Sequence, residues 1–367
     1  MDFSSSISQV GYDVIMRQTM PKILSVGTAN PPTKVMQKDF PSLFQVRNPI
    51  VRNIFNASHI DSRYLYLPPK DEHGVPLESQ ADLLKKHRMG AMDMGGRAIQ
   101  QCLDNLGVTA ADVDMLCCIS STGFMLPGLT AMFIKHLGFR VNCHRMDLVG
   151  MGCNAGLNGL NPVSAWAAAN PGKLAMMVCC EVNSALYVYD DTVETGVVNS
   201  LFGDGCAAIL VRSDLQDDAH FGPSILHFES HLIPDTWRAM SYHWSEDHGK
   251  FSFNLDRDVP YVLGANAQIP VANLLRPFGL KPRHIDHWLI HSGGKKVIDA
   301  IKYTVGITAH DVRHTINTLR EFGNLGSGAF LFSYQHLLNE GSAQIGDYGV
   351  MMTMGPGSTI ETCLLRW

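Results

Sequence analysis

Three residues of this chain could together carry chemistry, and they lie far apart: Cys153, His291 and Asn324. Cys153 sits in DLVGMGCNAGLNGL, residues 147–160, between an apolar lead-in and an apolar helical run. The small residues around it suit a sharp turn from strand to helix. A thiol at the start of a buried helix sees the positive end of the helix dipole, which favours the thiolate. His291 closes an apolar run, HWLI, and precedes Ser292, Gly293 and Gly294. There a side chain projects from a strand end, and the glycines let a ligand approach. Asn324 lies in EFGNLGSGAF, among small residues at an expected helix start. Singly, each has a plain structural reading: a buried thiol, a hydrogen-bonded core histidine, a helix cap or turn residue. Together they form a Cys/His/Asn set, and such sets are defined by geometry rather than by chain order.

That set suits thioester chemistry. A thiolate at Cys153, with His291 as ion-pair partner, would accept an acyl group from another thiol. A negative charge developing on the oxygen of a bound thioester would need donors, and His291 Nε2 and the Asn324 amide could supply two, each worth about 3 kcal/mol of barrier.

Strand and helix patterns alternate around these residues. KILSVGT, residues 22–28, reads as a first strand, and a helical stretch follows from Phe40 to Ala57. SRYLYLPP, residues 62–69, is extended, and residues 82–106 carry an amphipathic helix. Residues 113–121 and 174–180 are short apolar runs of the kind found in buried strands. Residues 146–149 lead as a strand to Cys153, and a helix follows to Asn170. NSLFGDG, residues 199–205, reads as a turn before a strand at 206–211.

The second half repeats the first. GVTAADVD (Gly107 to Asp114) and GLKPRHID (Gly279 to Asp286) lie 172 residues apart. Both follow an apolar helix and lead into an apolar strand. Gly172 before LAMMVCC is echoed by Gly346 before GVMMTM, 174 residues on. The pattern predicts an α/β fold of duplicated βαβ halves. Residues 1–20 would be an N-terminal arm, 21–214 a half carrying Cys153, and 215–367 a half carrying His291 and Asn324.

The chain is 46% hydrophobic and 17% charged, with a net charge of -5, a globular composition. No basic block points to nucleic acid, and no long apolar run points to a membrane span. Nine cysteines include the adjacent pairs Cys117-Cys118 and Cys179-Cys180 but no C-x-x-C. Strand neighbours point to opposite faces, and this many free thiols predicts a cytoplasmic protein. The sixteen histidines are scattered, without H-E-x-x-H, and no metal site is expected. The first 20 residues lack the charged start and apolar core of a signal peptide.

The ordered set GMGCNAG, LFGDG, HSGG, FGNLGSGAF and MGPGST, in a chain matched from about residue 21 onward, resembles the type III polyketide synthases, relatives of chalcone synthase. The resemblance implies the thiolase-like fold, its duplicated halves forming a five-layered αβαβα arrangement. It implies a catalytic triad at Cys153, His291 and Asn324, coenzyme A thioesters as substrates with no further cofactor, and a homodimer. Phe202 in LFGDG matches the gatekeeper between coenzyme A tunnel and cavity, and Phe253 in FSFNLDRDVP a second aromatic wall. Leu126 in GFMLPG matches the residue that reaches into the partner's cavity. Gly294 and the floor loop Gly355-Pro356-Gly357 complete the implied substrate contacts. A lysine expected near Ala57 for the coenzyme A phosphates is missing; Arg52, Arg63, Lys295 and Lys296 are the available substitutes. The two lysines read equally well as a solvated surface pair.

Within the family, STGFMLPGL, VGMGCNAGLNGLN, VVNSLFGDG, HWLIHSGGKKVID, DVRHT and DYGVMMTMGPGSTIE resemble the bacterial 3,5-dihydroxyphenylacetyl-CoA synthase subgroup. That implies malonyl-CoA as both starter and extender. Asn154 stands where plant chalcone synthases carry an aromatic ring, which points to a differently shaped cavity. Tyr187, Tyr189, Met240 and Trp244 are further candidates to line or cap it. Three other readings compete. One is a bacterial type III synthase with an acyl-CoA starter, giving resorcinols or pyrones. Another is a ketoacyl-acyl-carrier-protein synthase of the same fold, which needs a carrier-docking patch. The third is a non-catalytic scaffold in a synthase assembly, against which the retained triad candidates speak.

Overall fold

In the computed structural model, which describes residues 20–214 and 222–367, both copies of the Gly-to-Asp repeat do the same mechanical job. Gly107 and Gly279 end a helical segment with φ of 71° and 65°, angles that suit glycine. A short 3-10 turn follows in each copy. The closing aspartate then accepts a hydrogen bond from the first residue of the neighbouring parallel strand. Asp114 takes Leu174 N–H at 3.0 Å, and Asp286 takes Tyr348 N–H at 2.9 Å. The repeat thus fixes strand register at equivalent points of the two halves. Of the expected arm, all but Met20 lies outside the described residues.

Nine strands make one mixed sheet: β1 (Pro21–Ala29), β2 (Val113–Ser120), β3 (His144–Val149), β4 (Leu174–Glu181), β5 (Gly205–Ser213), β6 (Ser224–Leu232), β7 (His287–Ile290), β8 (Tyr348–Gly355) and β9 (Thr359–Arg366). Their order is β7-β8-β9-β6-β1-β5-β4-β2-β3. Outward from the centre, β1-β5-β4-β2 and β6-β9-β8-β7 share one pattern: two antiparallel pairings, then a parallel one. One residue pair, Lys22 with Ser224, joins the two halves across β1 and β6.

Helices α1 (Gln80–Leu106), α2 (Leu129–His136), α3 (Ala155–Ala169), α4 (Val193–Leu201), α5 (Val259–Asn266), α6 (Gln268–Leu275), α7 (Lys295–Val305), α8 (Arg313–Phe322) and α9 (Ala329–Glu340) complete the layers. On one outer face Met94, Ala98 and Phe133 of α1 and α2 pack on Leu116, Cys118, Val178 and Leu210. In the middle, Leu160 and Val163 of α3 and Phe330 and Leu337 of α9 fill the space between the sheet halves, against Cys117, Met177, Leu289 and Met351. On the far face, Leu263, Leu274, Ile298 and Leu319 of α5 to α8 cover Trp288, Ile290 and Met352. The result is helix, sheet, helix, sheet, helix: the five layers expected. The adjacent cysteines obey the period of two, Cys117 and Cys179 facing the central core and Cys118 and Cys180 the outer one.

Two local expectations are corrected. The stretch from Phe40 to Ala57 is not one helix but two, Phe40–Leu43 and Pro49–Asn56. Gln45 takes a positive φ between them, and the Asn48 side chain caps the second by accepting Ile50 N–H at 3.0 Å, with Pro49 in its first turn. In NSLFGDG, Asn199 to Leu201 still belong to α4, so the turn proper is shorter than expected. All nine cysteines are unpaired. No helix among the described residues is long and apolar enough to cross a membrane.

Candidate active site

The turn that carries Cys153 is held by two glycines. Gly152, with φ of 78°, could not be another residue, since a Cβ there would lie 2.4 Å from Pro356 Cδ. Its N–H donates to Ser121 Oγ at 2.7 Å. Cys153 then occupies a single 3-10 turn, Gly152–Asn154, that runs directly into α3. From the other side, Gly355 at the end of β8 approaches so closely that a Cβ would be 3.0 Å from Cys153 N. The turn is therefore clamped between the loop after β2 and the end of β8.

His291 follows β7 and is tied to β8 by its N–H, which donates to Met352 O at 2.8 Å. Ser292 Oγ donates to Gly323 O at 3.1 Å. Asn324 N–H donates to Leu201 O, and Asn324 O accepts Gly203 N–H, both at 2.9 Å. These bonds lock loops from both halves of the chain together at one end of the sheet. Asn324 Oδ1 accepts Gly326 N–H at 2.9 Å, which fixes the amide so that its NH₂ is left for other partners. The Asn324 side chain faces the Cys153 thiol and favours its ionised form. His291 and Asn324 are buried, at 2% and 3% exposure, and neither is among the residues that line the cavity beside Cys153. His291 Nδ1 has no hydrogen-bond partner among the described residues.

The electrostatics reverse one expectation. Burial pushes the Cys153 thiol up to about 12; the Glu181 carboxylate adds to this, and the Asn324 side chain opposes it. Burial also pushes His291 down to about 4. Desolvation thus outweighs whatever the helix start contributes, and each group alone is neutral at pH 7. A thiolate forms here only if its proton stays inside the site, where the two opposite charges offset what each would cost alone.

The cavity beside Cys153 has a volume of about 180 Å³. Phe202 and Phe253 form part of its wall, edge to face at 5.8 Å. Met240 and Pro356 also line it, as do Glu181, Thr122 and Tyr242, which sequence reasoning passed over. Glu181 ends the otherwise apolar strand LAMMVCCE, and an acid closing a fully buried run was the available signal. Its carboxylate accepts Ser327 Oγ–H at 2.6 Å and Ser121 N–H at 2.9 Å, yet burial raises it to about 7.

Several expected contacts fall elsewhere. Gly294 and Gly357 pack against Leu201 and Leu232 and are not on the cavity wall. Asn154 is buried under the turn and donates to Asn158 Oδ1 at 2.6 Å, so it does not shape the cavity surface as expected. Tyr189 lines a second cavity with Phe44 and Asp191. Trp244 is 44% exposed, and Leu126, 98% exposed, stands away from its own chain's cavity. Arg52 donates from Nε to Val46 O at 2.7 Å. Lys295 pairs with Asp299 along α7, and Lys296 lies exposed beside it. No group of three or more His, Cys, Asp or Glu among the described residues is placed to hold a metal ion.

Arg63 is the clearest correction. It is fully buried and so cannot meet a coenzyme A phosphate. Its guanidinium donates to Gln37 Oε1 (2.9 Å), Tyr187 OH (2.9 Å), Asn199 O and Phe202 O (both 2.6 Å) and lies over the Phe40 ring. Tyr187 is thus a structural partner rather than a cavity wall. Arg63→Ala is expected to lower unfolding stability by about 3 kcal/mol, because several buried acceptors lose their donor. A melting curve checks this; unchanged melting with a raised KM for the coenzyme A substrate would restore the phosphate role.

Against known families, residues 42–278 match the model described as FAE1/type III polyketide synthase-like protein. Residues 225–367 match that of the chalcone and stilbene synthase C-terminal domain. The chain belongs to the type III polyketide synthase family. It is an acyltransferase by that membership, and its fold is the thiolase-like one. It is 51% identical to a 3,5-dihydroxyphenylacetyl-CoA synthase of Amycolatopsis orientalis, over 94% of this chain and 93% of that protein. It is 50% identical to the enzyme of the same name from Streptomyces toyocaensis, over 95% and 90%. The crystal structure of 1,3,6,8-tetrahydroxynaphthalene synthase from Streptomyces coelicolor A3(2) matches with a TM-score of 0.85 at 27% identity. That match covers 94% of this chain and 99% of the other.

Proposed function

We propose that this synthase makes 3,5-dihydroxyphenylacetyl-CoA from malonyl-CoA alone. The observation that carries the reading is the likeness of about half of all positions, end to end, to synthases of that product. The cavity supports it: about 180 Å³ lies below the ~300–1,000 Å³ usual for larger ligands, which suits a short polyketide better than a fatty-acyl chain.

In this reading the half spanning 21–214 supplies the nucleophile and the half spanning 215–367 its partners. Cys153 attacks malonyl-CoA as its proton passes to His291, and that proton leaves on the coenzyme A sulfur. Loss of CO₂ from each malonyl group puts negative charge on a thioester oxygen, which His291 Nε2 and the Asn324 NH₂ stabilise by donating to it. Enolate attack on the Cys153 thioester forms the C–C bond and expels the thiolate. The starter's enolate takes a proton from water to become an acetyl group on Cys153; each condensation leaves the lengthened chain on coenzyme A, from which Cys153 takes it back with release of the coenzyme A thiol before the next, and three condensations give an eight-carbon chain. Glu181, buried on the wall with a carboxyl near its midpoint at neutral pH, is placed to shuttle protons during ring closure. It takes one from the terminal methyl carbon, that carbon bonds to the C3 carbonyl, and the C3 oxygen receives the proton. Loss of water and enolisation of two ketones then give the resorcinol ring.

The exposed Leu126, with Phe124 and Val141 at 84% and 95% exposure, supports pairing with a second copy, and the nine unpaired cysteines support a cytoplasmic setting. Coenzyme A thioesters are the substrates, with no further cofactor. The test is incubation with isotopically labelled malonyl-CoA as sole substrate. One aromatic product with eight labelled-source carbons is expected. A requirement for an added acyl-CoA, or pyrones as the only products, would overturn the reading.

A further inference from the structure

The mechanism leaves unused a second cavity, on the far side of α4 from Cys153. Its volume is about 340 Å³, within the ~300–1,000 Å³ usual for small-molecule sites. It runs from Gln45, Arg47 and Val75, exposed at its mouth, to Asn199, which is 6% exposed. One helix separates the two cavities. Val198 and Phe202 line the one beside Cys153, while Thr195, Gly196 and Asn199 line the other.

Three polar atoms of this second wall have no hydrogen-bond partner among the described residues: Asn199 Oδ1, Asp191 Oδ1 and the Tyr189 hydroxyl. The two oxygens of Asn199 and Asp191 are held in place by bonds on the other arm of each group. Asn199 Nδ2 donates to Val188 O at 2.7 Å. Asp191 Oδ2 accepts Arg47 N–H at 3.0 Å and Asn48 N–H at 2.8 Å. Buried polar atoms are normally paired, so three bare ones around one cavity call for an explanation. Backbone strain collects there too: Gln45 and Asp191, both on this wall, have φ of 53° and 61°, the left-handed conformation that is costly without glycine.

The wall chemistry selects the ligand. Phe40, Phe44 and Phe55 line the cavity, which suits a flat apolar body. Two of the bare atoms only accept hydrogen bonds and the third does either, so the occupant must bring donors. The charged side chains on the wall are Arg47, Asp190 and Asp191, a balance that turns away polyanions such as coenzyme A. Asp191 already has its two backbone donors, and Asp190 has donors on Thr192 and Thr195, so no cation is needed. A benzene ring carrying two hydroxyls meets each of these demands.

We propose that this cavity binds a small dihydric phenol, the class of product that the proposed function yields, and that filling it slows the synthase through α4. The choice of a product-like phenol rests on that reading; the cavity and its bare atoms do not. The link to the reaction is short. The Arg63 guanidinium donates to Asn199 O, beside the second cavity, and to Phe202 O, beside the first, both at 2.6 Å. A ligand that holds Asn199 therefore acts on the segment that carries Phe202, whose ring lines the cavity where the chain grows.

The experiment titrates the full chain by calorimetry with 3,5-dihydroxytoluene, and with 3,5-dimethoxytoluene as the analogue that lacks donors. Saturable binding with a Kd on the order of 0.1 mM is expected for the first, and roughly tenfold weaker binding for the second. Tyr189→Phe is expected to weaken binding of the phenol by about 3- to 10-fold without lowering melting temperature, since the hydroxyl it removes has no protein partner. Val75→Trp, at the exposed mouth, is expected to abolish binding and leave turnover of malonyl-CoA alone unchanged. In the wild type the bound phenol is expected to lower kcat by roughly fivefold at unchanged KM for malonyl-CoA, and Val75→Trp to escape that inhibition. Equal affinity for the two compounds, binding that survives Val75→Trp, or simple competition with malonyl-CoA overturns the proposal, as does the absence of saturable binding. The two readings are judged apart. A wild type that makes no C8 aromatic refutes the proposed product, whereas the titrations decide the cavity whatever the product is.

Discussion

Cys153→Ala is expected to reduce polyketide formation by on the order of 10⁴-fold or more while leaving the fold intact. The reason is chemical rather than steric. Every condensation in the proposed cycle passes through a thioester on Sγ, and alanine offers no leaving group and no nucleophile. The substitution removes one atom from a turn whose geometry is set by Gly152, Gly355 and Ser121, so melting temperature should hardly move. Steady-state turnover of malonyl-CoA and a melting curve check both halves of the prediction. Product at near wild-type rate from the alanine variant would remove the enzymatic role assigned to this cysteine.

His291→Ala is expected to slow product formation by ~10²–10⁴-fold and to change how Cys153 ionises. The sign follows from the two shifts. Burial holds the thiol up at about 12 and the imidazole down at about 4, so neither charge forms alone at neutral pH. Paired, the proton can move from Sγ to the ring. Without the ring, the thiolate fraction falls tenfold for each pH unit below the thiol's own raised pKa. Iodoacetamide alkylation of Cys153 should therefore be measurable at pH 7 to 8 in the wild type. In the variant it should appear only as pH rises toward the raised value. An unchanged alkylation profile would show that another group takes the proton.

The sequence made Cys153, His291 and Asn324 legible because their neighbours are glycines whose positions serve only close approach, and because the strands leading to two of them are short apolar runs. The layers were legible for a similar reason: the repeat anchored by Asp114 and Asp286 marks equivalent strand starts in both halves. What was not legible depends on tertiary surroundings. Arg63 carries the same charge on paper whether it meets a phosphate or lies under Phe40, and only packing decides. Asn154 sits next to the nucleophile in sequence but turns toward Asn158, since successive residues of a tight turn face different ways. The raised thiol pKa could not be read either, because desolvation is a property of the closed pocket, not of the residue order. Glu181 was visible as an acid ending a buried strand, but its place on the cavity wall needed the turn at Gly150 to Cys153 to fold over it.

The most direct test of the central claim is to quench the enzyme during turnover of malonyl-CoA and map acyl groups by peptide mass spectrometry. Acetyl and longer ketide thioesters on the peptide containing Cys153, and their absence after treatment with iodoacetamide, are the predicted result. Steady product formation with Cys153 unmodified, or with the acyl groups on another residue, would contradict it.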